Sequence, residues 1–239
     1  MKPSFHPTRR VPPGRGFTLV EVLVTITIII VIAGVLMAVT RGMKDRASAS
    51  KRLSNMRQCG TILLAKASED GGRCAYFSGG ASGGFEMRAY NIVRDAIGIP
   101  TGAKDLCEIM HWDPKLLPPG NYHWDCYAVN FKDVQNVATW KQEPITIPSG
   151  TFNMKSISIS SVTRPESYPL LIDSSTSAGK EIFRINEGGG EYVGLRTARK
   201  ANAFMFDGSC RTMDKTDLKA AGFTRAYDNS VTPPKLVTL

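Results

Sequence analysis

Two cysteines and two histidines in the middle of the chain have the types and spacing to do chemistry. Cys107 and His111 stand four residues apart and His123 and Cys126 three apart, with eleven residues between the two pairs. Four such side chains can close a tetrahedron around Zn²⁺. The same residues also allow a disulfide between Cys107 and Cys126, or two unpaired buried thiols. The spacing matches no zinc module, so no metal ligand is assigned, and Cys107 with Cys126 is the disulfide candidate. Cys59, Cys74 and Cys210 complete an odd set of five cysteines, whose connectivity sequence alone does not define. Cys74 with Cys210 is a second candidate pair.

Other catalytic chemistry has little to stand on. The chain lacks Gly-x-Ser-x-Gly, His-Glu-x-x-His and a P-loop, and only two histidines follow residue 16. The glycine-rich stretch 79–84 has no Lys-Ser/Thr after it and reads as a flexible loop, not a phosphate cradle. Asp173, Asp207 and Asp217 read as turn or cap residues. Asp207, Asp214 and Asp217 offer oxygens for Ca²⁺ but lack a multi-ligand loop pattern. Neither an enzymatic activity nor a cofactor is expected.

A different kind of signal sits at Glu21. Residues 22–40 are nineteen consecutive positions without a charge, and with Phe17 to Val20 before them they are long enough to cross a bilayer as a helix. Glu21 lies within this apolar run, where a carboxylate near the membrane centre costs about 2.5–3.5 kcal/mol. An opposite charge within about 4–6 Å would favour its ionised form. The N-terminal amine of a neighbouring helix could supply that charge and so fix the register between copies. The plainer alternative is a signal anchor whose Glu reaches headgroups and water.

The string Gly16-Phe17-Thr18-Leu19-Val20-Glu21 resembles the processing signal of type IV prepilins and of type II secretion pseudopilins. The resemblance implies cleavage between Gly16 and Phe17 by a prepilin peptidase, N-methylation of Phe17 by the same enzyme, and an assembly role for Glu21. It also implies other pilin or pseudopilin subunits, an inner-membrane assembly platform and membrane lipid as partners. The stretch from Leu53 to Arg73, Tyr127-Ala-Val-Asn130 and Asp207-Gly208 further resemble the large pilin-like families of planctomycetes and verrucomicrobia. Those families often carry a His ten positions before the Asp-Gly, where this chain has Thr197.

Charge and pattern place the supporting elements. Lys2, Arg9, Arg10 and Arg15 stand in a leader without acidic residues, and removing residues 1–16 takes four from the formal charge of +9 and leaves +5. Basic residues ahead of a membrane helix favour a cytoplasmic N-terminus, although Arg41, Lys44 and Arg46 stand on the other flank. No dense Lys/Arg patch follows, so nucleic acid is not an expected partner. Leu53, Met56, Leu63, Leu64 and Ala67 recur at helical spacing, and Gly71-Gly72 stops them. Residues 85–97 read as a second helix stopped by Gly98 and Pro100. Short strand signals follow at 127–131, 145–147, 156–162, 170–172, 181–185 and 203–206, separated by prolines. Asp207-Gly208 predicts a hairpin with a type I′ turn. Asp214 or Thr216 can cap a last helix ending at Gly222.

The expected fold is therefore α+β. A basic leader (1–16, removed) precedes a transmembrane helix (17–40), a helical stalk (41–70), a pilin-like head with an antiparallel β-sheet (71–223) and a polar tail (224–239). The expected function is a structural subunit of a type IV pilus or type II secretion pseudopilus. It would sit in the inner membrane with a single pass and the head outside the cytoplasm, and in a periplasmic or extracellular filament after assembly. The first rival is a membrane-anchored module that binds glycan, protein or DNA and never polymerises. The second is a secreted enzyme with a removable signal peptide.

Overall fold

In a computed structural model of the chain, the structure describes residues 18–77, 89–99, 108–110, 126–147, 150–196 and 198–239. It is α+β and divides into two compact units, Met1–Ala47 and Ser48–Leu239. Helix α1, Leu19–Glu69, contributes to both.

The first part of α1 is built from Val, Ile and Leu, of which the β-branched residues favour strands in water. A helix satisfies every backbone N–H within the segment, which an apolar solvent demands. Its polar side chains follow the same rule. Thr25 Oγ1 donates to the Val22 carbonyl and Thr27 Oγ1 to that of Leu23, both at 2.8 Å. Leu19–Leu36 is long and apolar enough to cross a membrane, and its large apolar side chains are exposed.

In the second unit, residues 48–69 of α1 pack one face inward through Met56, Cys59, Leu63 and Ala67. The expected stripe is present at Met56, Leu63 and Ala67, while Leu53 and Leu64 are half-buried. Cys59 and Gly60 fill the gap in the pattern. Gly60 lies against the Phe204 ring, where an added Cβ would come within 2.2 Å of ring carbons. The helix ends as read. Gly71 takes a positive φ of 71°, and the Gly72 N–H reaches back to the Ala67 carbonyl at 2.8 Å.

Three sheets follow. The first has order β1-β4-β3, from Arg73–Phe77 (β1), Gly150–Ser158 (β4) and Lys141–Ile147 (β3). Pro144, which cannot donate to a ladder, is tolerated because β3 is an edge strand. The predicted strand 156–162 stops at Ser158, where a 3₁₀ turn, Ile159–Ser161, takes over. Helix α2, Ala89–Ala96, lies within the expected span 85–97, of which 85–88 are outside the described residues, and Gly98 follows it with a positive φ of 79°.

The second sheet has order β2-β5-β8-β9: Ala128–Val129 (β2), Pro169–Ile172 (β5), Ala201–Met205 (β8) and Cys210–Met213 (β9). Both faces are buried along β2, β5 and β8, whereas Arg211 and Thr212 of β9 are exposed. Tyr127, Val129, Leu171 and Phe204 join the core under α1. Ala128, Ile172, Ala203 and Met205 join a second core with Leu218, Ala221 and Phe223. This explains apolar runs where a half-exposed strand would alternate. A register shift between Pro169 and Leu171 puts Leu170 and Leu171 into the same core.

The third sheet, order β11-β10-β7-β6, corrects two expectations. It contains Ser174–Ser175 (β6), Tyr192–Leu195 (β7), Arg225–Asp228 (β10) and Lys235–Thr238 (β11). Residues 224–239, read as a polar tail, thus supply two strands. Moreover β10 runs parallel to β7, so the sheets are antiparallel except at this pair. Between the pairing partners lie the β8–β9 hairpin and helix α3, Lys215–Ala220. Residues 181–185 form no strand. Ser174 Oγ bonds both the N–H and the carbonyl of Ile182, and only Arg184 makes an isolated bridge, to Val129.

The β8–β9 turn is also not type I′. Gly208 alone has a positive φ, 84°, whereas Asp207 does not. Gly208 N–H donates to the Met205 carbonyl and Met205 N–H to that of Ser209, giving a type I turn with a glycine bulge. Asp214 caps α3 as expected, in a reciprocal box with Asp217.

Candidate functional site

Thr18 and Glu21 form the described part of the N-terminal signal; Gly16 and Phe17 lie outside the described residues. Glu21 Oε2 accepts from both the N–H and the Oγ1 of Thr18, each at 2.8 Å, and Glu21 N–H donates to Thr18 Oγ1 at 3.3 Å. This is a capping box, two otherwise orphaned donors satisfied by residues three apart. The Glu21 carboxylate therefore has two donors within its own first turn. The signal is legible as Thr-x-x-Glu, but the sequence reading drew on Glu21 without its cap. Beyond Glu21 the described side chains as far as Leu36 include no charge, and their apolar surfaces face outward.

The Cys/His constellation is represented by one member. Cys107, His111 and His123 lie outside the described residues, as do the glycine-rich loop 79–84 and Thr197. Cys126 is buried in the core under α1, beside Tyr127, whose N–H donates to the Met110 carbonyl at 2.9 Å. Cys59 Sγ donates to the adjoining Ile109 carbonyl at 3.2 Å. Cys210 does not pair with Cys74. It is a free thiol that donates to the Leu53 carbonyl at 3.4 Å, and burial pushes it up to about 11, which makes it a poor nucleophile at neutral pH.

The aspartates separate into two kinds. Asp207 accepts from Ser209 N–H at 2.8 Å within its turn, and Asp214 and Asp217 serve the α3 cap. They are local structure, and among the described residues no three His, Cys, Asp or Glu side chains are placed to hold a metal ion. Asp173, by contrast, is fully buried rather than a turn residue. One oxygen accepts from Asn202 N–H at 2.8 Å, and Oδ1 has no hydrogen-bond partner among the described residues. Burial pushes this carboxyl up to about 7, against the Asn202 bond and the nearby Arg196 and Arg52 charges, while Glu181 raises it further. Its position directly after the buried run Leu170-Leu171-Ile172 was the available signal.

Two further polar nodes hold the second unit together. Tyr168 Oη accepts from Trp140 Nε1 at 2.9 Å and donates to the Lys132 carbonyl, inside a ring cluster with Phe131 and Phe206. Glu187 accepts from Thr224 N–H, Thr224 Oγ1 and Lys132 Nζ at 2.8–2.9 Å, fastening the start of the C-terminal strands. Burial alone would raise the Glu187 carboxyl, but these bonds hold it below its usual range. Comparison with family models, with curated proteins and with solved structures finds no match.

Proposed function

We propose that the chain is a type IV pilin-like subunit of a pilus or a type II secretion pseudopilus, a structural protein that polymerises from the membrane. The observation that carries this reading is the combination, in one helix, of an outward-facing charge-free stretch with a single carboxylate in its first turn. In the membrane, lipid covers the apolar faces. In a filament, neighbouring helices replace the lipid through close packing, and Glu21 meets the amine of an adjacent Phe17. The partners are the prepilin peptidase, other subunits, the assembly platform and lipid. The head, residues 71 onward, stands outside the cytoplasm and needs no catalytic role.

The Thr18–Glu21 cap favours a second reading. If Glu21 only closes its own helix, the chain is a membrane-anchored module that never polymerises. Glu21→Gln separates the two, because glutamine serves equally at the third position of a capping box but carries no charge. We expect the variant to be processed and retained in the membrane yet absent from filaments sheared off cells. Normal recovery in the sheared fraction would leave Glu21 as a helix cap and contradict the assembly role.

A further inference from the structure

The segment that leads from the second sheet into the third is buried without being apolar. Residues 173–180 read Asp-Ser-Ser-Thr-Ser-Ala-Gly-Lys, with no large apolar side chain among them, yet Asp173, Ser174 and Ser175 are completely buried. Asp173 stands at the crossing. Its N–H donates to the Asn202 carbonyl at 3.0 Å, its carboxylate accepts from Asn202 N–H at 2.8 Å, and its carbonyl accepts from Gly194 N–H at 3.0 Å. Strand β8 therefore holds one side of the residue and β7 the other. Beyond it, β6 pairs with β7 over two residues, Ser174 with Val193 and Ser175 with Tyr192.

The fastenings of this segment are polar. Arg196 Nη2 donates to the Ser174 carbonyl at 2.6 Å, Asn229 Nδ2 to Ser175 Oγ at 2.9 Å, and Ser174 Oγ to the Ile182 carbonyl at 2.7 Å. They are also incomplete. The buried side-chain oxygens without a hydrogen-bond partner among the described residues are Asp173 Oδ1, Thr176 Oγ1 and Asn229 Oδ1, all in this segment or its anchor. Each is a desolvated group left uncompensated. A region held by few apolar contacts opens before the core does.

The charges around Asp173 are divided. Arg52 of α1 and Arg196 favour its ionised form, whereas Glu181, itself buried, opposes it; Tyr127 ahead of β2 and Cys210 of β9 also feel its charge. Ionised, the carboxylate keeps one oxygen without a donor; protonated, it keeps its place without the charge.

We propose that residues 173–180 form a strap that opens without the rest of the domain, and that a proton on the Asp173 carboxyl keeps it shut. The closed strap binds this proton more tightly than the open one. Opening therefore becomes more frequent as pH rises from about 4 to about 7, and levels off above. An open strap turns β7 from an inner strand into an edge. The inference is independent of filament assembly and is tested on unassembled protein.

The test is hydrogen exchange read by mass spectrometry on the full chain in neutral detergent micelles at pH 5, 6, 7 and 8, corrected for the intrinsic rate at each pH. Protection of peptides covering 173–182 should fall at least about tenfold between pH 5 and pH 7, the limit being about tenfold per unit. It should stay below that of peptides covering 201–213 at every pH. Asp173→Asn should protect the strap more strongly at pH 7 and remove the pH dependence. A strap whose protection does not change with pH in the parent would overturn the proposal. So would the same fall in Asp173→Asn, or exchange of 173–182 in step with 201–213 throughout.

Discussion

Gly34 and Gly60 occupy the same helix, yet they stand in opposite situations. At Gly34 nothing among the described residues lies within 4 Å of where a Cβ would be; at Gly60 the Phe204 ring already fills that space. The surrounding residues divide the same way. Around Gly34, polar groups are satisfied within a turn, as Thr18, Glu21, Thr25 and Thr27 show, and apolar groups face outward. Around Gly60, apolar groups face inward, and polar groups reach far along the chain, as Cys210 does to Leu53. A segment that settles its polar needs locally leaves its apolar surface to a cover that the described residues do not supply. Lipid and neighbouring copies are the two covers that the proposed function supplies.

Substitutions at the two glycines should break or sharpen this contrast most visibly. Gly60→Ala is expected to destabilise the second unit by about 3 kcal/mol, the cost of overpacking against a buried ring. Adding Phe204→Leu should recover part of that loss, since the two positions share one space. Denaturant unfolding of single and double variants gives the coupling directly. Gly34→Ala should leave unfolding of the second unit unchanged and favour its own helix by up to about 1 kcal/mol. A defect of this variant confined to filament formation would show that neighbours pack at Gly34.

Asp173 yields the next effect. Its folded value of about 7 exceeds the ordinary 3.8, so the native state binds a proton more tightly than the unfolded chain. The stability that this gives is present in acid and is lost as pH rises between about 4 and 7. Thermal unfolding should therefore show the parent gaining stability between pH 8 and pH 5. Asp173→Asn, which imitates the protonated form, should flatten that gain and raise stability at pH 8 by a few kcal/mol, on the order of 1.4 per pKa unit. A parent with no such gain, or a variant less stable at pH 8, would contradict the assignment. Glu187 acts in the opposite direction: its depressed value contributes stability above the ordinary carboxylate range that is lost in stronger acid. The smallest expected change is at the α3 cap, where Asp214→Ala should cost about 1 kcal/mol in denaturant unfolding.

These residues also mark where the sequence was readable. Local devices were legible: the apolar stripe of α1, the glycine stops at Gly71 and Gly98, and the cap at Asp214 all depend on neighbours within a turn. Gly60 was not, because its reason is Phe204, 144 positions along the chain. Residues 225–238 read as a tail because Arg225, Asp228, Pro233, Pro234 and Lys235 dilute the apolar signal. Their burial at Ala226 and Tyr227 comes from parallel pairing with β7, which no local pattern announces. At Ile182 a serine hydroxyl takes the bonds a strand partner would have made. The candidate site was half readable: Glu21 stood out by its charge, while Thr18 was overlooked although Thr-x-x-Glu spells its role. Cys107, His111 and His123 lie outside the described residues, so their chemistry rests on the sequence alone.

The central claim is that the outward-facing helix is made to be exposed at its N-terminus, methylated and packed against copies of itself. Mass spectrometry of the protein recovered from its native membrane tests this most directly. The account predicts a chain beginning at N-methylated Phe17. Recovery with residues 1–16 still attached, or cut after residue 36 with the apolar helix gone, would contradict it.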